Sequence, residues 1–243
     1  MLAYPGNLTA DGFSKLLTSI LHGAKSSNAT VRAQCSRLFS VLMDREGNEE
    51  SCISSAVTEI LALPKASKTT GVDHRIALYE MLQFVTPTDD GASLITDSLP
   101  SLIAKETNDV AISLLGKTLA LHITYRLRKN QDLQPDVINV ILREMSSSKP
   151  GLRRTFCTVA GNALWDLGNS RSDAAQAFAT SLYPAFEASL KMVSANPLNS
   201  TGPLEGYVAL ATLLGPISRL GVQDYGDARS HDVIVCATSH MTK

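Results

Sequence analysis

Aromatic side chains are scarce, at 5% of this 243-residue chain, and Trp165 is the only tryptophan. Strands favour aromatic and β-branched residues, so this shortage argues against a sheet protein. Cysteine is scarce too. Cys35, Cys52, Cys157 and Cys236 lie far apart with no CxxC pair, which disfavours zinc knuckles and thioredoxin chemistry. Cys35 and Cys157 fall within apolar helical patterns and read as small buried hydrophobes of a reducing compartment. Neither sign of charge is in excess, with 22 Lys and Arg against 23 Asp and Glu. That excludes a protein that coats DNA or RNA along its length, and leaves room for a local basic patch. The longest apolar stretch, Val208 to Leu214, falls well short of the ~20 residues a membrane-spanning helix needs. The opening MLAYPGNLTADGF lacks a basic segment followed by an apolar one, so it does not read as a secretory signal. The Asn-x-Ser/Thr triplets at Asn7, Asn28 and Asn199 would matter only in a secreted protein. The expectation is a cytosolic protein without a membrane segment.

What the chain has is apolar periodicity. Phe13, Leu16, Leu17, Ile20 and Leu21 form one helical stripe. The same template fits Ile53, Ala56, Val57, Ile60 and Leu61. It fits Ile95, Leu99, Leu102 and Ile103, then Ile138, Ile141, Leu142 and Met145, then Phe178, Leu182, Ala185 and Phe186. Between these stripes lie second helices. One starts at Asn28, a suitable N-cap, and carries Val31, Cys35, Leu38 and Leu42. Others carry Leu78, Met81, Leu82 and Val85, then Ile112, Leu115, Leu119 and Ile123 on a helix from about Asp109 to Arg128. The last two carry Phe156, Val159, Ala160, Ala163, Leu164 and Leu167, and Leu210, Leu213, Leu214 and Ile217. Asp89-Asp90 reads as a helix cap, Trp165 as packing, and Pro100 and Pro184 as kinks inside their helices.

A two-helix unit recurring about every forty residues predicts an all-α fold, a HEAT/armadillo-like α-solenoid of about five helical hairpins. The array is expected over residues 9–219, with an irregular or disordered tail over 220–243. A lone hairpin cannot bury enough apolar surface to offset its ordering entropy, so the units must stack.

Catalytic and metal constellations are missing. Gly116-Lys117-Thr118 resembles the end of a phosphate-binding loop, but Ala111 stands where the first glycine belongs, and the triplet lies in a helical stripe. Ser146 and Lys149 have an SxxK spacing without the partner motifs of a serine acyltransferase. His22, His74, His122, His231 and His240 share no ligand spacing and read as surface or satisfied residues. The expectation is therefore no enzyme, no cofactor and no metal.

One charged cluster stands out. Arg126, Arg128 and Lys129 close one helix, Arg143 closes the next, and Lys149, Arg153 and Arg154 open the one after. The helix dipole accounts for cations at C-termini, hence for Arg126, Arg128 and Arg143, but not for Arg153 and Arg154 near an N-terminus. In a stacked array these helix ends are expected to share an edge able to contact ribosomal RNA phosphates.

NATVRAQCSRLFSVLMD has the shape of a HEAT second helix. The run from DVAISLLGKTLALHITYRLRKNQDL to AGNALW, followed by NPLNSTGPLEGYVALATLLGP, resembles the family of giant HEAT-repeat translational activators of general amino-acid control, over roughly residues 10 to 219. That resemblance implies a non-catalytic, ribosome-associated scaffold. It implies work with the protein kinase that phosphorylates the α subunit of initiation factor 2, and with an ATP-binding-cassette partner, through parts of the family outside this sequence. It also implies that the chain is a piece of a longer protein, with GVQDYGDARSHDVIVCATSHMTK unlike the family's continuation. A HEAT transport receptor or phosphatase scaffold, binding peptides in a concave groove, is the competing expectation.

Overall fold

The computed structural model describes residues 8–46, 49–66, 71–167, 172–182 and 184–185. Among the described residues all regular structure is helical: α1 (Ala10–Gly23), α2 (Ala29–Glu46), α3 (Glu50–Ala66), α4 (Val72–Leu82), α5 (Asp89–Lys105), α6 (Asp109–Arg128), α7 (Pro135–Met145), α8 (Pro150–Leu167) and α9 (Asp173–Ser181). None of these helices is long and apolar enough to cross a membrane. The expected array beyond residue 185, its fifth hairpin partner at Leu210–Ile217, Cys236, His231, His240 and the 220–243 tail lie outside the described residues.

Local chemistry explains where the helices begin. Thr9, Thr88 and Ser172 are N-caps whose side chains accept from the backbone N–H three residues on. Asn28 and Asn108 cap α2 and α6 in the same manner, each accepting from two backbone N–H groups. Asp89 and Asp90 are not the cap of α5: Thr88 is, and the two carboxylates follow in the first turn, where the dipole favours them. α7 and α8 begin at Pro135 and Pro150, which give up no hydrogen bond at a first helical position.

The chain forms two compact units divided within α6, residues 1–118 and 119–243. In the first, α1 packs on α2 and α3, α2 on α4, and α3 on α4 and α5. Odd helices thus meet odd ones and even helices meet even ones, with cross-contacts inside each hairpin. Ile53, Ala56, Val57, Ile60 and Leu61 are all buried, as are Ile95, Leu99, Leu102 and Ile103. α5 closes on α3 at Gly91, where a Cβ would stand 2.8 Å from Ile53 Cγ2. In the second unit α7 packs on α8 and α8 on α9.

Several expected faces are corrected. The buried stripe of α2 is Cys35, Phe39, Leu42 and Met43, while Val31 and Leu38 are exposed. Burying Phe39 and Met43 outweighs burying the smaller pair Val31 and Leu38. On α1, Leu16 is exposed beside a stripe that otherwise holds. On α7 the core face is Val137, Val140, Ile141, Glu144 and Met145, one residue before the expected register. The charged Glu144 hides that register in the sequence. It is tolerated there because Arg143 Nη2 stands 2.7 Å from its Oε1. Trp165 is 51% exposed, one position beyond the buried Ala163 and Leu164, and the Leu167 side chain lies outside the described residues. On the broadly apolar α6, Leu121 is exposed. Pro100 is buried within an uninterrupted α5, whereas α9 ends at Ser181, before Pro184.

Candidate functional site

The basic residues singled out above all fall in the second unit. α6 ends in a Schellman motif: Asn130 adopts φ 55°, Gln131 N donates to Arg126 O over 3.0 Å, and Asn130 N donates to Leu127 O over 3.1 Å. Arg126 is half-buried there and donates to the Asp132 carbonyl at 3.2 Å. Arg128 and Lys129 are exposed, the Lys129 ammonium lying 5.3 Å from the centre of the Tyr125 ring. Arg143 is exposed and paired to Glu144. Lys149 and Arg154 are exposed, while Arg153 is half-buried and donates to the Ser147 carbonyl.

These residues do not form one edge. Arg126, Arg128 and Lys129 belong to the α6–α7 junction, and Arg143, Lys149, Arg153 and Arg154 to the α7–α8 junction. The two groups flank opposite ends of α7, whose 11 residues span about 16 Å. The structure also gives Arg153 a reason to sit near a helix N-terminus. It reaches back to a carbonyl of the preceding turn, as Arg32 does when it donates to Ser26 O at 2.9 Å and Ser27 O at 3.0 Å. Exposed and unclaimed by such a turn, Arg154 is the residue of the pair suited to an external anion.

The register shared by Arg32 and Arg153 is that of the fourth residue after a helix cap, and Arg75 holds it in α4. Comparing helix starts, rather than apolar stripes, would have found it in the sequence. In the first unit two of these arginines tie one hairpin to the next. Arg32 pairs with Asp73 at 3.0 Å, across 41 residues of sequence. Arg75 makes a bidentate pair with Glu106, Nε to Oε2 at 2.8 Å and Nη2 to Oε1 at 3.0 Å. The Glu106 side chain is 4% exposed, and its Oε1 also accepts from the backbone N–H groups of Thr107 and Asn108. Burial alone would raise its pKa, but Arg75 and those two donors win and hold the carboxyl below the usual range. A third tie is the Asp90 N–H donating to Glu50 Oε1 at 2.8 Å.

The second unit ties α6 to α9 through neutral side chains. Asn130 Oδ1 accepts from Ala174 N at 3.1 Å, and Ser172 Oγ donates to Leu127 O at 3.0 Å while accepting from Ala175 N. Asn130 thus does two jobs: its backbone takes the left-handed turn, and its side chain fastens the start of α9.

His122 is neither surface nor satisfied. It is fully buried in α6, both ring nitrogens lack a hydrogen-bond partner among the described residues, and burial pushes its pKa down to about 3. Neutral imidazole is small enough to be tolerated on a core face. Cys157 is buried as expected, and burial pushes its thiol up to about 12, which leaves it protonated and unreactive. Gly116-Lys117-Thr118 lies inside α6, with the Thr118 hydroxyl spent on the Leu114 carbonyl. Ser146 to Lys149 forms the turn between α7 and α8. Among the described residues, no three His, Cys, Asp or Glu side chains converge as metal ligands would.

The family model described as General control nonderepressible 1 (Gcn1) N-terminal matches residues 72–243, well over half of the chain, and so covers both basic junctions and the Arg75–Glu106 pair. No curated protein matches, and no solved structure does.

Proposed function

The chain belongs to the Gcn1 N-terminal family, and from that premise we propose that it is a non-catalytic scaffold of HEAT type acting in translational control. In this reading its helical pairs continue the α-solenoid of the family. It associates with the ribosome in the cytosol and acts as a positive regulator of the initiation factor 2α kinase during amino-acid starvation. The kinase and an ATP-binding-cassette partner engage other parts of the full protein. The observation that carries the reading is the family match, and the helix order supports it. Odd helices begin at residues 10, 50, 89, 135 and 173, and polar ties join positions 40, 41, 44 and 45 residues apart. Such a recurrence is what a stack of like units would produce.

The exposed cations at the two α7 ends are the proposed contacts to ribosomal RNA. The test is co-sedimentation of the chain with ribosomes across a salt series. The expected result is pelleting that weakens steeply with salt. Arg128→Glu with Lys129→Glu, and separately Lys149→Glu with Arg154→Glu, should each reduce it. Pelleting of neither the parent chain nor the variants refutes ribosome contact through this segment. Capture of transport cargo or phosphatase subunits in place of ribosomal proteins selects the competing HEAT adaptor.

A further inference from the structure

The first unit contains a cleft of ≈ 490 Å³ lined by Arg75 and Tyr79 of α4, Ser101, Leu102 and Lys105 of α5, and Glu106 and Thr107 of the α5–α6 turn. That volume lies in the range of about 300–1,000 Å³ typical of ligand sites. We propose that this cleft binds a short peptide segment of a partner protein through an acidic side chain, with Lys105, Tyr79 and Thr107 receiving the carboxylate. The inference is independent of ribosome contact, which is assigned to the other unit.

The charge arithmetic of the cleft selects the ligand. Arg75 and Glu106 neutralise each other, and the lone pairs of Glu106 are taken up by Arg75 and two backbone donors. Lys105 is exposed and makes no ion pair or hydrogen bond among the described residues, so the lining carries one surplus positive charge. The dipole of α5 accounts for a lysine at that end. It does not account for Tyr79 and Thr107, which line the same cleft and whose hydroxyls donate to no acceptor among the described residues. Tyr79 is almost fully buried, and burial followed by the Glu106 charge pushes its phenol up to about 12. It is therefore a proton donor, and never an anion, throughout the physiological range. Ser101 spends its hydroxyl proton on Ser98 O and offers only an acceptor, suited to a peptide N–H. Leu102 supplies an apolar wall. One cation and two neutral donors match a monoanion such as a carboxylate, whereas a phosphate dianion would leave charge unbalanced. The volume exceeds what one carboxylate fills and leaves room for neighbouring peptide residues.

The test titrates the full chain with the capped pentapeptide Ala-Leu-Glu-Leu-Ala while following the backbone amide resonance of Thr107, which every variant retains. The expected result is a saturable shift, with binding about tenfold weaker for the Gln counterpart, for Lys105→Gln and for Tyr79→Phe. Lys105 is on the surface and Tyr79→Phe removes one oxygen, so both variants should keep the parent's thermal midpoint. Equal binding of the Glu and Gln peptides, or no saturation at millimolar peptide, overturns the proposal. So does sodium glutarate binding as tightly as the peptide, since the site would then serve a small acid. Tighter binding of the phosphoserine counterpart overturns the choice of a carboxylate.

Discussion

The two units solve one problem with different chemistry. Each must join helices that lie about one repeat apart in sequence. The first does so with charge, through Arg32–Asp73, Arg75–Glu106 and the Glu50 carboxylate. The second does so with an amide and a hydroxyl, Asn130 and Ser172. Arginines join one hairpin to the next in the first unit, whereas in the second Arg126 and Arg153 bond to carbonyls of the adjacent turns and Arg128, Lys149 and Arg154 are exposed. A basic residue in a repeat array is informative only after its lateral ties have been counted.

Four measurements test this contrast. The largest effect is expected from Glu106→Ala, which leaves the Arg75 guanidinium uncompensated and two backbone donors without their acceptor. The loss should be about 3 kcal/mol in urea denaturation of the full chain, and a loss under about 1 kcal/mol would show that charge does not hold the first unit.

Next comes His122 in the second unit. Its folded pKa is depressed from 6.5 to about 3, so in that window the unfolded chain binds a proton that the folded chain refuses. Stability is therefore complete above pH 6.5 and falls with acid, by about 2 kcal/mol from pH 7 to 5. His122→Leu should remove that slope and raise stability at pH 7 by about 1 kcal/mol, because two unsatisfied nitrogens disappear. An unchanged slope would place the titration elsewhere.

A smaller effect is expected at Asn130. Asn130→Ala loses the α9 tie and also meets the strain of the left-handed turn, at about 1–2 kcal/mol in all. Asn130→Gly keeps the turn and should cost roughly half as much. Both should speed amide exchange at Ala174; equal costs would deny the left-handed turn its part, and an Asn130→Gly without cost would deny the α9 tie. Smallest is Asp73→Asn. The Asp73 side chain is 70% exposed, so the change should cost under about 0.5 kcal/mol and shrink further in high salt.

Much of the architecture was legible before any coordinates. The α3 and α5 stripes emerge residue for residue, the span of α6 is as read, and Asn28 caps α2. Apolar periodicity fails where a polar residue shares the core face. Glu144 displaced the α7 reading by one position because its neutralisation by Arg143 is invisible to hydropathy. His122 escaped for the related reason that burial is set by neighbours on other helices. The basic residues were visible, but their division between two junctions depends on which end of α7 each turn meets. The Arg75–Glu106 pair was missed altogether, since neither residue lies on a stripe and 31 positions separate them.

The ties at separations of 40 to 45 residues also bear on how the chain is made. Each needs only the next pair of helices to exist before it can close. A nascent chain can therefore lock in instalments as it emerges, with little loop entropy to overcome at any step and no reliance on its far end.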